Sequence, residues 1–369
     1  MALFNNLFKN KTILVTGHTG FKGSWLSIWL NHLGATVIGV SDNEVSSPSN
    51  FTTSKVSNIV NDFRIDIRDI KEIKKVFNDI QPDFVFHLAA QSLVRTSYDE
   101  PIETMTTNAI GTANILDALR LMNKKVTAVI ITSDKAYDNV EWVWGYKETD
   151  KLGGKDPYSG SKGMAELAIH SYAESFFNHP DSKIKIGIAR AGNVIGGGDW
   201  AADRIVPDCM NAWSLNKTVD IRSPFATRPW QHVLEPLSGY LVLAANLSQD
   251  FIHNGEAFNF GPSTDKNFPV SRLIDEMSKY WDKIKWNDVS KDNNLFHEAE
   301  LLKLNCDKAL FELQWFSALD FEETVEMTVK WYKNYYQNQH QSTYSFTIAQ
   351  IETYIKLAKS REIPWANND

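Results

Sequence analysis

The chain has 369 residues, 43% of them hydrophobic and 22% charged, with a formal net charge of −7. That length allows two or three domains around a large core, and the composition is ordinary for a soluble globular protein. The acidic balance argues against general nucleic-acid binding, and no apolar run is long enough for a membrane span.

Met1–Lys11 has no apolar centre of the kind a secretion signal needs. Cys209 and Cys306 stand far apart, with no CxxC, and the nine histidines contain no HExxH pair. A cytoplasmic protein without a bound metal is expected. Thr12–Thr16 then reads as a short strand, followed by Gly17-His-Thr-Gly20-Phe21-Lys-Gly23 and an amphipathic helix that Gly34 stops. Glycines let backbone approach a pyrophosphate, and a helix N-terminus attracts its charge. The first glycine gap is one residue longer than in GxGxxG, so the strand–glycine–helix order carries the dinucleotide expectation.

Thr36–Val40 is a second strand, closed by Asp42. A carboxylate there accepts ribose hydroxyls and repels the extra phosphate of NADP, so NAD is the expected cofactor. Its bland alternative is a turn acid. Asp62–Asp66 is the third strand, and Asp66 ends it where an adenine amine would sit, unless it is only a helix cap. Asp69–Ile80 reads as a helix and Phe84–Leu88 as a strand, with small residues in Leu88-Ala89-Ala90 where backbone passes close to something. A helix over roughly Pro101–Met122 and a strand over Val126–Thr132 follow. Strands alternating with helices predict a Rossmann-type doubly wound parallel sheet.

Thr132-Ser133-Asp134-Lys135-Ala136-Tyr137 places a hydroxyl, a carboxyl and an amine at the end of that strand. Asp156-Pro157 reads as an N-cap and first helical residue. The helix it starts, to about Phe177, carries Tyr158 and Lys162. A phenol and an amine four residues apart share one helical face, where the ammonium is expected to lower the phenol's pKa toward neutrality. Hydride removal from an alcohol needs only that phenol, amine and hydroxyl. The additional acid and amine suggest a further step, most simply loss of water.

Lys185–Ala189 is another strand, and from Gly192 the alternation weakens. The expected division is a dinucleotide-binding domain over 1–190 and a smaller mixed α/β domain, mainly substrate-binding, over 191–369, with possible chain crossings. Arg204 and Arg228 are candidates for a diphosphate, since guanidinium forks suit phosphate oxygens and an acidic protein needs them there. Twelve tryptophans should be mostly core, with some left for a pocket wall. The end, from about Asn338, is polar and is expected to wrap the surface.

Taken together, TGxxGxxG, Asp66-Ile67-Arg, His87-Leu88-Ala89-Ala90-Gln91, Asn108-x-x-Gly-Thr112 and Tyr158-x-x-x-Lys162 resemble the extended short-chain dehydrogenase/reductase family up to about Tyr335. Thr132–Tyr137, Gly153–Ser159, Ala189–Val194, Gly197–Trp200, Arg204–Asp208 and Ala226–Pro236 are most similar to the cytidine branch of its sugar-nucleotide 4,6-dehydratases. The resemblance implies a nucleotide-sugar substrate, CDP-glucose, a homodimer or homotetramer, and a role in deoxysugar synthesis for surface polysaccharide. It implies that Gly17, Gly20, Phe21, Gly23, Asp42, Asp66, Ile67, Leu88, Ala89, Ala90, Asn108, Thr132, Tyr158 and Lys162 hold NAD. Gln91, Asn193, Arg204, Arg228 and His232 would face the substrate. Tyr158 would take the proton of the sugar's 4-hydroxyl, Ser133 would hold that hydroxyl, Asp134 would protonate the departing 6-hydroxyl, and Lys135 would take the proton from carbon 5. Related dehydratases carry Asp-Glu where this chain has Asp134-Lys135. A 4-epimerase of the same fold would need neither, and a non-catalytic NAD-binding regulator would not need the Tyr158–Lys162 pair.

Overall fold

The computed structural model describes residues 3–250, 252–282, 284–290, 301–338 and 341–367. Seven parallel strands make the central sheet: β1 (Thr12–Thr16), β2 (Thr36–Ser41), β3 (Asn61–Arg64), β4 (Phe84–His87), β5 (Val126–Ile131), β6 (Ile184–Arg190) and β7 (Ala257–Asn259). Their spatial order is β7-β6-β5-β4-β1-β2-β3. Thr16 of β1 lies opposite Val40 of β2 on one side and His87 of β4 on the other. The winding reverses between β1 and β4, and the carboxyl ends of the strands open a crevice there.

Parallel strands are covered on both faces and so read as unbroken apolar runs. All six residues of β5 are buried. The edge strand β3 is exposed throughout and spans Asn61–Arg64, where the sequence pattern pointed to Asp62–Asp66. The helices α1 (Phe21–His32), α2 (Ile70–Ile80), α3 (Pro101–Met105), α4 (Gly111–Arg120) and α5 (Pro157–Tyr172) connect the strands. A π turn at Thr106–Ile110 joins α3 to α4, which gives the single run expected from the sequence. Asp156 caps α5 by accepting from the Ser159 N–H, with Pro157 in the first turn.

Beyond residue 190 the chain forms α6 (Ile205–Ser214), α7 (Leu234–Gln249), α8 (Phe321–Gln337) and α9 (Tyr344–Ser360). Three two-stranded pairs join Val194–Ile195 to Gln231–His232, Thr227–Arg228 to Phe268–Pro269, and Val219–Ile221 to Trp286–Asp288. Strand β7 returns from this half to pair with β6, so the chain crosses back into the large sheet. One hydrophobic core runs from Trp29 through Leu237 to Trp331 and Trp365, on both sides of residue 190. Most tryptophans are core, as expected: Trp25, Trp29, Trp213, Trp315 and Trp331 are fully buried.

The polar C-terminal stretch does not simply wrap the surface. Helix α9 buries Ile351, Tyr354, Ile355 and Ala358, a stripe at helical spacing inside a polar composition. Tyr354 meets Trp29 edge-on at 5.8 Å and stacks on Trp365 at 5.7 Å. Glu235, in the first turn of α7, anchors this region. Its buried carboxyl accepts from the Ala318 N–H at 3.0 Å, from the Leu319 N–H, and from the Tyr354 hydroxyl at 2.8 Å.

Burial pushes the Glu235 carboxyl up to about 7, against the pull of its backbone donors. A folded-state value above the ordinary one favours the fold at low pH, and that contribution is lost as pH rises from the usual carboxyl range through 7. The Glu235→Gln protein, which does not titrate, should therefore gain about 3 kcal/mol on the native protein between those limits. Denaturant unfolding at several pH values measures this gap. A gap that stays constant from acid to neutral pH would show that Glu235 titrates normally.

Candidate active site

A cleft of ≈ 2030 Å³ opens at the carboxyl ends of the strands. Its floor is the glycine loop between β1 and α1. Gly17 has φ +75°, and a Cβ there would lie 2.7 Å from Ala89 N. A Cβ on Gly23 would lie 2.0 Å from Gly17 O. These two glycines let loop, β4 end and α1 pack together. Gly20 is different: its Cβ would meet only Gly17 O at 3.3 Å, and it borders the cleft. Gly20 is also the N-cap of α1 and provides no side-chain cap, so the first N–H groups of α1 face the cleft unclaimed by a capping side chain. That arrangement fits the pyrophosphate of a dinucleotide.

Phe21, Asp42, Asp66, Ile67, Leu88, Ala89, Ala90 and Thr132 line the same cleft. Asp42 is exposed beyond the end of β2, and its carboxylate accepts from the Asn43 N–H at 2.7 Å. Arg64, on the neighbouring strand, is held by Asp62 and Glu44. Asp66 is gripped by Arg68 through its side chain and backbone N–H, which holds its carboxyl below the usual range. Asn108 departs from the expectation. It does not border the cleft; it accepts from the Gln91 N–H at 2.8 Å and donates to Gln91 O at 3.0 Å and to Ser161 Oγ at 2.8 Å. Its polar atoms are spent tying the segment after β4 to α5, so it shapes the cleft without facing it.

Ser133, Asp134, Lys135, Tyr158 and Lys162 come together at one wall. Ser133 Oγ donates to Asp134 Oδ1 at 2.9 Å and accepts from the Lys135 N–H at 3.2 Å. Lys162 Nζ lies 5.9 Å from the centre of the Tyr158 ring. The phenol is not lowered in this ligand-free form. Burial pushes it up to about 12, with the Ser133 hydrogen bond pulling the other way, and the Lys162 charge is absent from the dominant influences. Burial also brings the Lys162 ammonium down to about 8. Desolvation thus outweighs the cation that the helical spacing placed nearby.

Asn193, Arg204 and Arg228 also border the cleft. Asn193 has φ +53°, and its buried Nδ2 has no hydrogen-bond partner. Arg204 donates to Asp199 Oδ2 at 2.7 Å and to Ser92 Oγ at 3.3 Å. The Asp199 charge holds its guanidinium above the ordinary value. Arg228 donates to Thr227 O at 2.8 Å. Gln91 borders the cleft, but its amide bonds Leu93 O and Thr104 Oγ1. His232 does not reach the cleft. It is fully buried, edge-on to Trp25 at 5.8 Å, and Nδ1 accepts from the Leu234 N–H at 3.3 Å. The expected substrate contact is corrected to a core histidine, driven down to about 3 by burial. Trp230 borders the cleft, and Trp200 packs on Tyr335 at 4.8 Å.

Two features escaped the sequence reading. Lys22, inside the glycine motif, projects into the cleft, and burial followed by the Arg204 charge brings it down to about 8. Asp134, Lys162 and Asp199 are its other charged neighbours. Glu166 lies one further turn along α5 from Lys162 and is buried against Arg190, with both Glu166 oxygens 2.7 Å from guanidinium nitrogens. The Tyr158–Lys162–Glu166 spacing of four was the available signal. Among the described residues no group of three or more His, Cys, Asp or Glu is placed to hold a metal, and no helix is long and apolar enough to cross a membrane.

Comparison with known proteins adds a family match, two relatives and a structural likeness. Residues 14–328 match the family described as GDP-mannose 4,6 dehydratase. A CDP-glucose 4,6-dehydratase of Salmonella typhimurium is 44% identical over 332 residues, 89% of this chain and 92% of that protein. A dTDP-glucose 4,6-dehydratase of Haemophilus influenzae is 26% identical over 342 residues, 87% of this chain and 97% of that protein. Among solved structures, a Bacillus cereus UDP-glucuronic acid 4-epimerase in complex with UDP-glucuronic acid and NAD superposes with a TM-score of 0.73. It is 22% identical, covers 88% of this chain and 99% of its own, and supports the fold.

Proposed function

The chain belongs to the GDP-mannose 4,6 dehydratase family, and from that premise we propose that it converts CDP-D-glucose to CDP-4-keto-6-deoxy-D-glucose, as an NAD-dependent hydro-lyase. The observation that carries this reading is the joint placement of Asp134 and Lys135 beside Ser133, Tyr158 and Lys162 on one cleft wall. An epimerase needs only the last three. Similarity along 89% of the chain to a CDP-glucose 4,6-dehydratase supports the cytidine nucleotide.

Bound NAD supplies the store for the hydride taken from carbon 4 of the sugar and returned to carbon 6. Gly20 and the N-terminus of α1 would hold its pyrophosphate, and Asp42 would favour NAD over NADP. Tyr158 receives the proton of the 4-hydroxyl, which Ser133 holds in place. Burial raises the phenol in the ligand-free form, and a cation beside it would favour the phenolate. The 4-ketone acidifies the hydrogen on carbon 5. Lys135 removes that proton, and Asp134, 3% exposed, protonates the departing 6-hydroxyl as water. Arg204 and Arg228 take the diphosphate, with the Asn193 amide as a further donor.

A homodimer is part of the same proposal. Ile102, Ile110, Met164 and Leu167 are 70%, 53%, 44% and 61% exposed, and they belong to the helical run 101–120 and to α5, which pack side by side. A second copy covering this face would brace the helix that carries Tyr158. Light scattering at micromolar concentration should give at least twice the chain mass; a monomer would remove this part.

Incubation with CDP-glucose, dTDP-glucose and UDP-glucose tests the substrate, and the 4-keto-6-deoxy product should form from CDP-glucose at the highest kcat/KM. In that assay Asp134→Asn should still oxidise carbon 4 but not dehydrate, so reduced cofactor accumulates. Lys135→Met should lose deuterium exchange at carbon 5 while retaining the first oxidation. Product at the native rate from Asp134→Asn, or normal exchange in Lys135→Met, would move those roles to other residues.

A further inference from the structure

The space behind Asp134 has a function of its own. The carboxyl group rests against Gly192, where a Cβ would lie 1.9 Å from Oδ2, so only glycine leaves room for it. Next to it is a cavity of ≈ 10 Å³ bordered by Asp134, Gly192, Gln231, Gly261 and Leu304. That is close to the smallest space that holds one water. Gln231 is 2% exposed, and its orientation is fixed. Its Nε2 donates to Gly192 O at 2.9 Å and to Phe260 O at 3.0 Å. Both amide hydrogens are thereby used, so a flipped amide would set oxygen against two carbonyls. Oε1 is left buried with no hydrogen-bond partner. On the other side, Ser133 supplies the hydrogen bond to Asp134 Oδ1, and among the described residues no donor bonds Oδ2.

We infer that one water occupies this cavity, donating one hydrogen to Gln231 Oε1 and the other to the Asp134 carboxyl, and that Gln231 acts through it as a positioning residue that fixes the orientation of that carboxyl. A buried acceptor without a donor is costly, and a water here would satisfy Gln231 Oε1 while the Asp134 carboxyl gives it a second polar partner. The direction of the bonds follows from the partners. The Gln231 oxygen can only accept, so it takes one water hydrogen. The water's second hydrogen is free to reach Asp134 Oδ2, so one water can serve both acceptors. The carboxyl is then held from two sides, by Ser133 Oγ at Oδ1 and by the water at Oδ2. This inference rests on the dehydratase reading for its catalytic part and on the cavity alone for its water.

A high-resolution crystal structure of the native protein should contain one water within hydrogen-bond distance of both Gln231 Oε1 and an Asp134 oxygen. A dry cavity would overturn the inference, whatever the enzyme's activity. The catalytic part is read from dehydration measured against oxidation at carbon 4. Gln231→Leu should lower kcat for dehydration about tenfold with KM nearly unchanged and carbon 4 oxidation retained, so that reduced cofactor accumulates. Gln231→Glu, which keeps an acceptor for the water, should recover part of the dehydration. A purely structural glutamine would lower both steps together, and that result would also overturn the positioning role. If the native protein makes no 4-keto-6-deoxy product, the proposed function fails while the crystallographic water still stands or falls by itself. If either variant does not fold, the native structure decides.

Discussion

The ion pair between Glu166 and Arg190 ties together the elements that build the cleft. Both side chains are almost fully buried, at 1% and 4% exposure. Thr132 Oγ1 donates to Glu166 at 2.6 Å, and Arg190 donates to the Tyr137 hydroxyl at 2.7 Å. Tyr137 passes a hydrogen bond to Asn259 Oδ1 at 2.7 Å, and Asn259 Nδ2 reaches Tyr146 O and Asn305 O, both at 2.9 Å. One connected network therefore joins the ends of β5, β6 and β7, helix α5 and the segment near residue 305. Ser133, Asp134 and Lys135 lie between Thr132 and Tyr137, two of its members, and Tyr158 and Lys162 share the helix with Glu166. Burial works against the Arg190 charge, and Glu166 and Tyr137 outweigh it, holding the guanidinium above its ordinary value. Breaking such a pair by removing one partner leaves a buried charge uncompensated, which costs roughly 3–5 kcal/mol. The network thus sets the geometry of that cleft wall.

The cleft brings cations together within an acidic chain. In a protein of net charge −7 it gathers Lys22, Lys162, Arg204 and Arg228. Asp199 holds Arg204, and burial lowers the two lysines toward neutrality. A low-dielectric site strengthens every remaining interaction with an anionic ligand. Two diphosphates, one in the cofactor and one in the substrate, are the expected occupants of such a site. The same desolvation holds the Tyr158 phenol above its ordinary value in the ligand-free form.

Much of this was legible in the sequence because parallel strands and their helices leave strong patterns. The unbroken run 126–131, the Gly17–Gly23 loop and the Asp156-Pro157 cap each have one clear physical reading, and the elements stand where those readings put them. The Ser133–Lys135 and Tyr158–Lys162 segments were legible for the same reason: strand end and helix face fix direction. Long-range packing was not legible. Nothing local distinguishes His232, buried behind Trp25, from a histidine facing the cleft. Asn108 looked like a ligand contact, yet Gln91 and Ser161 consume its hydrogen bonds from distant segments. The helix at Tyr344–Ser360 was hidden by its polar residues, because a narrow apolar stripe suffices when Trp29 and Trp365 complete the contact. The phenol's pKa was misjudged in direction, since spacing reports a neighbouring charge and is blind to desolvation.

The central claim is that one cleft oxidises carbon 4, removes water across carbons 5 and 6, and returns the same hydride to carbon 6. Supplying CDP-glucose with deuterium at carbon 4 tests this most directly, with the product read by NMR and mass spectrometry. The account predicts a 4-keto-6-deoxy product carrying that deuterium on carbon 6 of the same molecule, even when unlabelled substrate is mixed in. Deuterium retained at carbon 4 of an epimerised sugar, or a product whose carbon 6 lacks it, would contradict the account.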